Sequence, residues 1–186
     1  MTMKHIVVCG DRQVGKSTLI EKLIEKLCGE MSGEMSVHVY GVITKAENRK
    51  SDGSFELYMY RPGDHRRRQT PENLLAVRTP EEKWVNTGIF DTLGVGLIRE
   101  ARQGGIVVLD ELGFIERDAA EFQKAVLSLL DGEIPVIAAV KSGHEDIEFL
   151  NSIKNHKNIT LYNITEENRD GLYETLLPII TDNLTA

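Results

Sequence analysis

His5-Ile6-Val7-Val8-Cys9-Gly10-Asp11-Arg12-Gln13-Val14-Gly15-Lys16-Ser17-Thr18 is the stretch on which the fold turns. His5 to Cys9 is short, β-branched and uninterrupted by charge, the pattern of a strand buried on both faces. From Ser17 onward Leu19, Ile20, Leu23, Ile24 and Leu27 repeat at helical spacing, and Gly29 supplies a stop. Between strand and helix, Gly10 to Ser17 reads GxxxxGKS. In that context the spacing builds a phosphate-binding loop. Gly10 and Gly15 permit the tight path, the amides from about Gln13 to Thr18 point inward, and the positive end of the helix adds to them. Lys16 reaches the β- and γ-phosphates and the Ser17 hydroxyl ligates Mg²⁺. The nucleotide-binding set is therefore Gly10, Asp11, Arg12, Gln13, Val14, Gly15, Lys16, Ser17 and Thr18.

The rest of the chain repeats strand and helix. Val37 to Ile43 and Phe55 to Tyr60 read as a hairpin, with turn residues from Asn48 to Gly53. Phe90, Leu93, Leu97, Ile98 and Ala101 share a helical face, Ile106 to Leu109 is a buried strand, and Phe122, Val126, Leu129 and Leu130 mark the next helix. Ile134 to Val140 is a strand, Ile147, Leu150 and Ile153 a short helix, Ile159 to Ile164 the last strand, and Leu172, Leu176, Leu177 and Ile180 the last helix. The alternation predicts one α/β domain over residues 1–186, a mostly parallel sheet with helices on both faces and an added β-hairpin. Residues 61–83, with three prolines and few periodic apolar positions, read as a long loop or lid-like excursion.

A phosphate loop needs a second strand ending in an acid for the Mg²⁺ shell, and Ile106 to Leu109 runs into Asp110. Glu111 follows at once and is placed to take a proton from water attacking a γ-phosphate. Lys16, Glu111 and Glu116 form the catalytic set, with Glu116 equally readable as a solvated loop residue. Ser17 and Asp110 are the metal ligands. The several units between loop and Asp110 suit an extra strand separating the two in the sheet. Lys141 and Ser142 follow a strand where a γ-phosphate-sensing polar residue often sits.

Gly10 to Thr18, Asp110-Glu111-Leu112-Gly113-Phe114-Ile115-Glu116 and Tyr162-Asn163-Ile164-Thr165-Glu166-Glu167-Asn168-Arg169 together resemble the three signatures of the cancer-related nucleoside-triphosphatase family. These are small P-loop enzymes that hydrolyse ATP, GTP and other nucleoside triphosphates with Mg²⁺. Their second signature reads D-E-[IL]-G-x-[MI]-E and their third ends in E-N-R. Phe90 to Ala101 also looks like the helix before the second signature, so the likeness spans nearly the whole chain. It implies a RecA-like sheet and slow, broad nucleotide hydrolysis. Lys16 and Ser17 match the family's phosphate and Mg²⁺ ligands, and Asp110 and Glu111 its metal-shell and base residues. Two departures bear on substrate preference. The family loop usually has glycine where Gln13 stands, and the hairpin Val39-Tyr40-Gly41-Val42-Ile43 with Phe55-Glu56-Leu57-Tyr58 only roughly matches.

Ligands of open α/β sheets lie beyond the carboxyl ends of the strands. If the last strand flanks the first, Thr165, Asn168 and Arg169 are placed to meet base and ribose, with Arg169 stacking on the ring. The other reading has Thr165 capping the last helix and Asn168 and Arg169 bracing the fold.

Composition closes several doors. The 186 residues carry 22 basic and 29 acidic side chains, a net charge of −7 that repels nucleic-acid backbones. Cys9 and Cys28 form no zinc-binding spacing and read as two reduced, largely buried thiols. No apolar run approaches a membrane span, and residues 1–5 do not read as a signal peptide, so a cytoplasmic chain is expected. His5, His38, His65, His144 and His156 do not cluster, so no metal besides Mg²⁺ is expected. Arg66, Arg67 and Arg68 lie in a segment of local charge +3, from Arg61 to Arg68, readable as a triphosphate lid, a partner contact or a solvated basic loop. Three functions fit these residues: a nucleoside-triphosphate hydrolase, a nucleotide or small-molecule kinase, and a nucleotide-regulated binding module. Glu111 beside Asp110 favours the hydrolase.

Overall fold

A computed structural model describes residues 5–30, 37–64, 66–143 and 146–185. The sequence readings at residues 1–4, His65, His144 and most of the segment between residues 29 and 36 lie outside these. In chain order the elements are β1 (His5–Gly10), α1 (Lys16–Glu30), β2 (His38–Glu47), β3 (Phe55–Tyr60), β4 (Leu74–Arg78), β5 (Lys83–Val85) and α2 (Val95–Arg99). There follow β6 (Gly105–Leu112), α3 (Ala120–Asp131), β7 (Val136–Lys141), α4 (Glu148–Lys154), β8 (Ile159–Asn163) and α5 (Arg169–Thr185).

All eight strands form one sheet in the order β5-β4-β3-β2-β6-β7-β1-β8. β7 lies between β1 and β6 and pairs in parallel with both. This is the separation that the spacing between the phosphate loop and Asp110 predicts. β8 flanks β1 on its other side, also in parallel. The strands β1, β6 and β7 are buried almost throughout, which is why they read as continuous apolar runs. Leu19, Ile20, Leu23 and Leu27 of α1 and Leu172, Leu176 and Ile180 of α5 pack on one face. Phe90, Phe122 and Val126 of the α2–α3 side and Leu150 and Ile153 of α4 pack on the other. Phe90 and Phe122 meet with ring centroids 5.0 Å apart, a tilted pair of the kind favoured in cores.

The expected hairpin exists but is part of something larger. β2 pairs with β3, β3 with β4 and β4 with β5, all antiparallel. The segment 61–83 is thus corrected: it contains β4, the start of β5 and a short 3₁₀ turn at Pro71–Asn73. The buried Asn73 ties it down, its amide donating to the carbonyls of Met59 and Arg68, both at 3.0 Å. Arg61 adds an ion pair to Glu100 after α2. The two halves of the sheet meet where β2 pairs in parallel with β6, with Gly41 opposite Val108. There φ is +103°, and a Cβ on Gly41 would stand 2.1 Å from the Val108 carbonyl oxygen, so only glycine fits.

Two smaller readings change. α1 continues through Gly29 to Glu30, so Gly29 lies in its last turn rather than ending it. Cys9 is buried in β1, but Cys28 is exposed because its position on α1 turns away from the sheet.

Candidate active site

The loop after β1 turns because it must pass under the end of β8. A Cβ on Gly10 would lie 2.5 Å from the Ile164 carbonyl oxygen, which leaves room only for glycine. Gln13, where the resembling family usually has glycine, has φ +69°, a left-handed conformation that costs an L residue about 1–2 kcal/mol. α1 starts at once after the loop, with Leu19 N–H donating to the Gly15 carbonyl at 2.9 Å.

Lys16 is buried, at 3% exposure, so its ammonium needs partners inside the protein. It donates to the Gly10 carbonyl at 2.8 Å and the Asp11 carbonyl at 2.6 Å, and Glu111 Oε1 stands 3.1 Å from Nζ. The Ser17 hydroxyl donates to Asp110 Oδ1 at 2.9 Å, joining the start of α1 to the end of β6. Burial pushes the Asp110 carboxyl up to about 6, against the opposing pull of the Ser17 hydrogen bond and the Lys45 charge. The two residue pairs nominated from the sequence thus meet across the width of β7.

Glu116 is fully enclosed rather than solvated. Its Oε2 accepts the Gly113 N–H at 2.8 Å, and burial pushes its carboxyl up to about 7. It pins the turn at Gly113 that follows β6, two residues beyond Glu111, and it lines the same cleft. Lys141 and Ser142 arrive from β7. Ser142 N–H donates to the Gly10 carbonyl at 3.1 Å, its hydroxyl bonds the Asp11 carboxylate, and the Lys141 side chain covers Gly113. Asp11 and Arg12 are exposed at the mouth of the cleft, and Val14 packs beneath the loop.

At the other flank, Arg169 lies against Gly15, its Cδ 3.3 Å from where a Cβ there would sit. With Thr18, Lys22 and Tyr173 it lines a separate depression of about 250 Å³ beside the loop. Asn168 is used differently. Its Oδ1 accepts the Thr165 N–H at 2.8 Å, Thr165 Oγ1 accepts the Asn168 N–H at 3.3 Å, and its amide donates to the Asn163 carbonyl at 2.9 Å. This reciprocal cap ahead of α5 is the arrangement expected when Asn168 braces the helix start. Arg66 and Arg68 line a surface hollow with Met59 and Leu97 rather than the cleft.

The main cleft measures about 650 Å³ and contains residues that the sequence did not single out. Lys45 reaches it from β2, ion-paired to Glu21, and further along lie Arg49, Phe55, Arg78, Lys83 and Phe114. Only strand register brings these together, and register is not written in any one segment.

For a divalent cation the donors present are suitable. Ser17 and Asp110 supply hard oxygens in contact, and a buried carboxylate gains most from a cation beside it. Among the described residues no group of three or more His, Cys, Asp or Glu forms a separate metal cluster.

The sequence model of the NTPase family matches residues 5–177. The chain belongs to that family. Among curated relatives it is similar to nucleoside-triphosphatase THEP1 of Methanothermobacter thermautotrophicus, 31% identical over 99 residues, covering 53% of this chain and 54% of that one. It is also similar to nucleoside-triphosphatase THEP1 of Thermotoga sp. strain RQ2, 27% identical over 101 residues, covering 54% and 57%. The match thus spans about half the length of these relatives. The fold matches the crystal structure of THEP1 from Aquifex aeolicus, with TM-score 0.67, 21% identity and coverage of 94% and 98%. It also matches the solution structure of a human cancer-related nucleoside triphosphatase, with TM-score 0.65, 23% identity and coverage of 96% and 98%. Among the described residues no helix is long and apolar enough to cross a membrane.

Proposed function

We propose that the protein is a Mg²⁺-dependent hydrolase of nucleoside triphosphates, ATP and GTP among them, acting in the cytoplasm. The observation that carries the reading is the 3.1 Å contact of Glu111 with Lys16, beside the Ser17–Asp110 hydrogen bond. A phosphate-binding ammonium and a candidate base are thereby held in one place. The names of the family and of the curated relatives support it.

In this reading the loop Gly10–Thr18 wraps the β- and γ-phosphates and Lys16 turns from its own carbonyls to them. Ser17 and Asp110 would hold the Mg²⁺, which when bound neutralises charge on the phosphate oxygens. Glu111 accepts a proton from the water whose oxygen bonds to the γ-phosphorus. The bond from that phosphorus to the bridging oxygen breaks, and its electron pair leaves with the nucleoside diphosphate. Glu116 and Lys141 hold the turn around Gly113 and so set where Glu111 stands. Arg169 flanks the nucleoside at the edge of β8.

The test is phosphate release from the four common nucleoside triphosphates with and without Mg²⁺. Glu111→Gln is expected to keep nucleotide binding and lose about 10²–10⁴ in turnover. Lys16→Ala is expected to weaken triphosphate binding about tenfold or more, the value of a charge-assisted contact of about 1.5–3 kcal/mol. Turnover by Glu111→Gln at the wild-type rate overturns the assignment of the base, and undiminished triphosphate binding by Lys16→Ala overturns the phosphate site.

A further inference from the structure

The main cleft continues past the catalytic carboxylates into a wall that the hydrolysis reading leaves unused. Strand register builds this wall. Phe55 of β3 stands opposite Arg78 of β4, and Arg78 opposite Lys83 of β5, so the three side chains form one cross-strand row on one face. The Arg78 guanidinium carbon is 6.0 Å from the centre of the Phe55 ring, and that of Arg49 is 5.4 Å from the same ring. Lys83 closes the row against the turn after β6, its Nζ 5.6 Å from the centre of the Phe114 ring, over which the Arg117 guanidinium also lies at 4.1 Å. Phe114 is 37% exposed despite its size.

Charge is sorted along this cleft. Its acids, Asp11, Glu111 and Glu116, all stand at the phosphate-loop end, and the wall beyond has none. Among the described residues the ion pairs include none of Arg49, Arg78 and Lys83, on a chain of net charge −7. Cations gathered without counter-charge repel one another, and an anion relieves that repulsion. Guanidinium and ammonium groups beside ring faces suit a phosphate ester that also carries a planar ring. The cleft as a whole measures about 650 Å³, within the range of small-molecule sites, and this wall forms the part of it beyond the catalytic end. A long nucleic acid is the poorer fit, because the chain's overall charge repels its extended backbone.

We propose that this wall is a second ligand site that takes a mononucleotide, its phosphate on Arg78 and Lys83 and its base between the rings of Phe114 and Phe55. The triphosphate does not compete for it, since its nucleoside flanks Arg169 on the opposite side of the loop. That last step rests on the proposed placement of the triphosphate.

The experiment is calorimetric titration of adenosine monophosphate into the full chain, with Mg²⁺ and a non-hydrolysable ATP analogue at saturation. One monophosphate per chain is expected. The double variant Arg78→Ala, Lys83→Ala should weaken it at least tenfold while leaving the analogue's affinity within twofold. Phe114→Ala should weaken the monophosphate but not inorganic phosphate. Competition between monophosphate and analogue overturns the proposal. So does wild-type binding by the double variant, equal binding of inorganic phosphate, or binding of a 5′-phosphorylated tetranucleotide without the mononucleotide. Lys16→Ala separates the two readings. If it keeps the analogue while the double variant loses the monophosphate, the phosphate-loop assignment falls and the second site stands.

Discussion

In β1, β6 and β7 nearly every residue is buried, whereas β4 and β5 run out to an exposed edge that carries Trp84 at 49% exposure. The parallel half holds its charged groups inside and in contact: Lys16 with Glu111, Ser17 with Asp110, Glu116 with the Gly113 amide. The antiparallel half leaves Arg49, Arg78 and Lys83 at the surface, beside rings. Chemistry on a phosphate needs groups that do not move, so it belongs where backbone ends are packed on both sides. Recognition of a second ligand tolerates long, adaptable side chains, and the antiparallel half supplies those.

The sharpest way to break this comparison is at the seam between the halves. Gly41→Ala places a methyl group 2.1 Å from the Val108 carbonyl and in a left-handed backbone. The clash and the backbone strain together are expected to cost about 3 kcal/mol or more. Urea unfolding should show one transition at much lower midpoint. Two separated transitions would instead mean that the halves fold independently.

The next effect concerns the cost of a buried carboxylate. Glu116 has its folded-state value raised from 4.5 to about 7, so ionisation opposes folding. Its protonated form is the stable one, and stability falls as pH rises from the unfolded value toward the folded one. Glu116→Gln should therefore stabilise the fold at pH 8 by up to about 3 kcal/mol, seen as a higher thermal midpoint, with the gain shrinking toward pH 5. A gain independent of pH would place its origin in packing instead.

The smallest effect sharpens the edge beside β8. Arg169→Ala is expected to weaken ATP and GTP alike by about 1–2 kcal/mol, the value of a lost stacking contact, while inorganic triphosphate binds as before. Equal losses for all three ligands would make Arg169 a phosphate contact, and a drop in thermal midpoint alone would make it structural.

The two halves also differ in how they read. β1, β6 and β7 are uninterrupted apolar runs next to GxxxxGKS and Asp110-Glu111, where short-range chemistry and pattern agree. Leu74 to Val77 is also apolar, but Pro71 and Pro80 bracket it and it is only a few residues long, so it reads as loop. Its pairing with β3 supplies the order that its own sequence lacks. Lys45, Arg78 and Lys83 are illegible in the sequence for the same reason: nothing local marks a lysine or arginine whose neighbours come from other strands. Glu116 was visible as a residue but not as a buried one, because its enclosure depends on Lys141 and the turn at Gly113. Asn168 carries both of its possible readings in one motif, and the hydrogen bonds that make it a cap are not visible in the sequence.

The insertion of β7 between β1 and β6 acts as a gauge block. Neighbouring strands lie about 4.8 Å apart, so the strand ends bearing the loop and the carboxylates are set about 9.6 Å from each other. No backbone hydrogen bond spans that gap, and side chains join its two rims instead, Lys16 with Glu111 and Ser17 with Asp110. The same width leaves room for Lys141 and Ser142 at the end of the block itself, which makes β7 the ruler by which the whole centre is spaced.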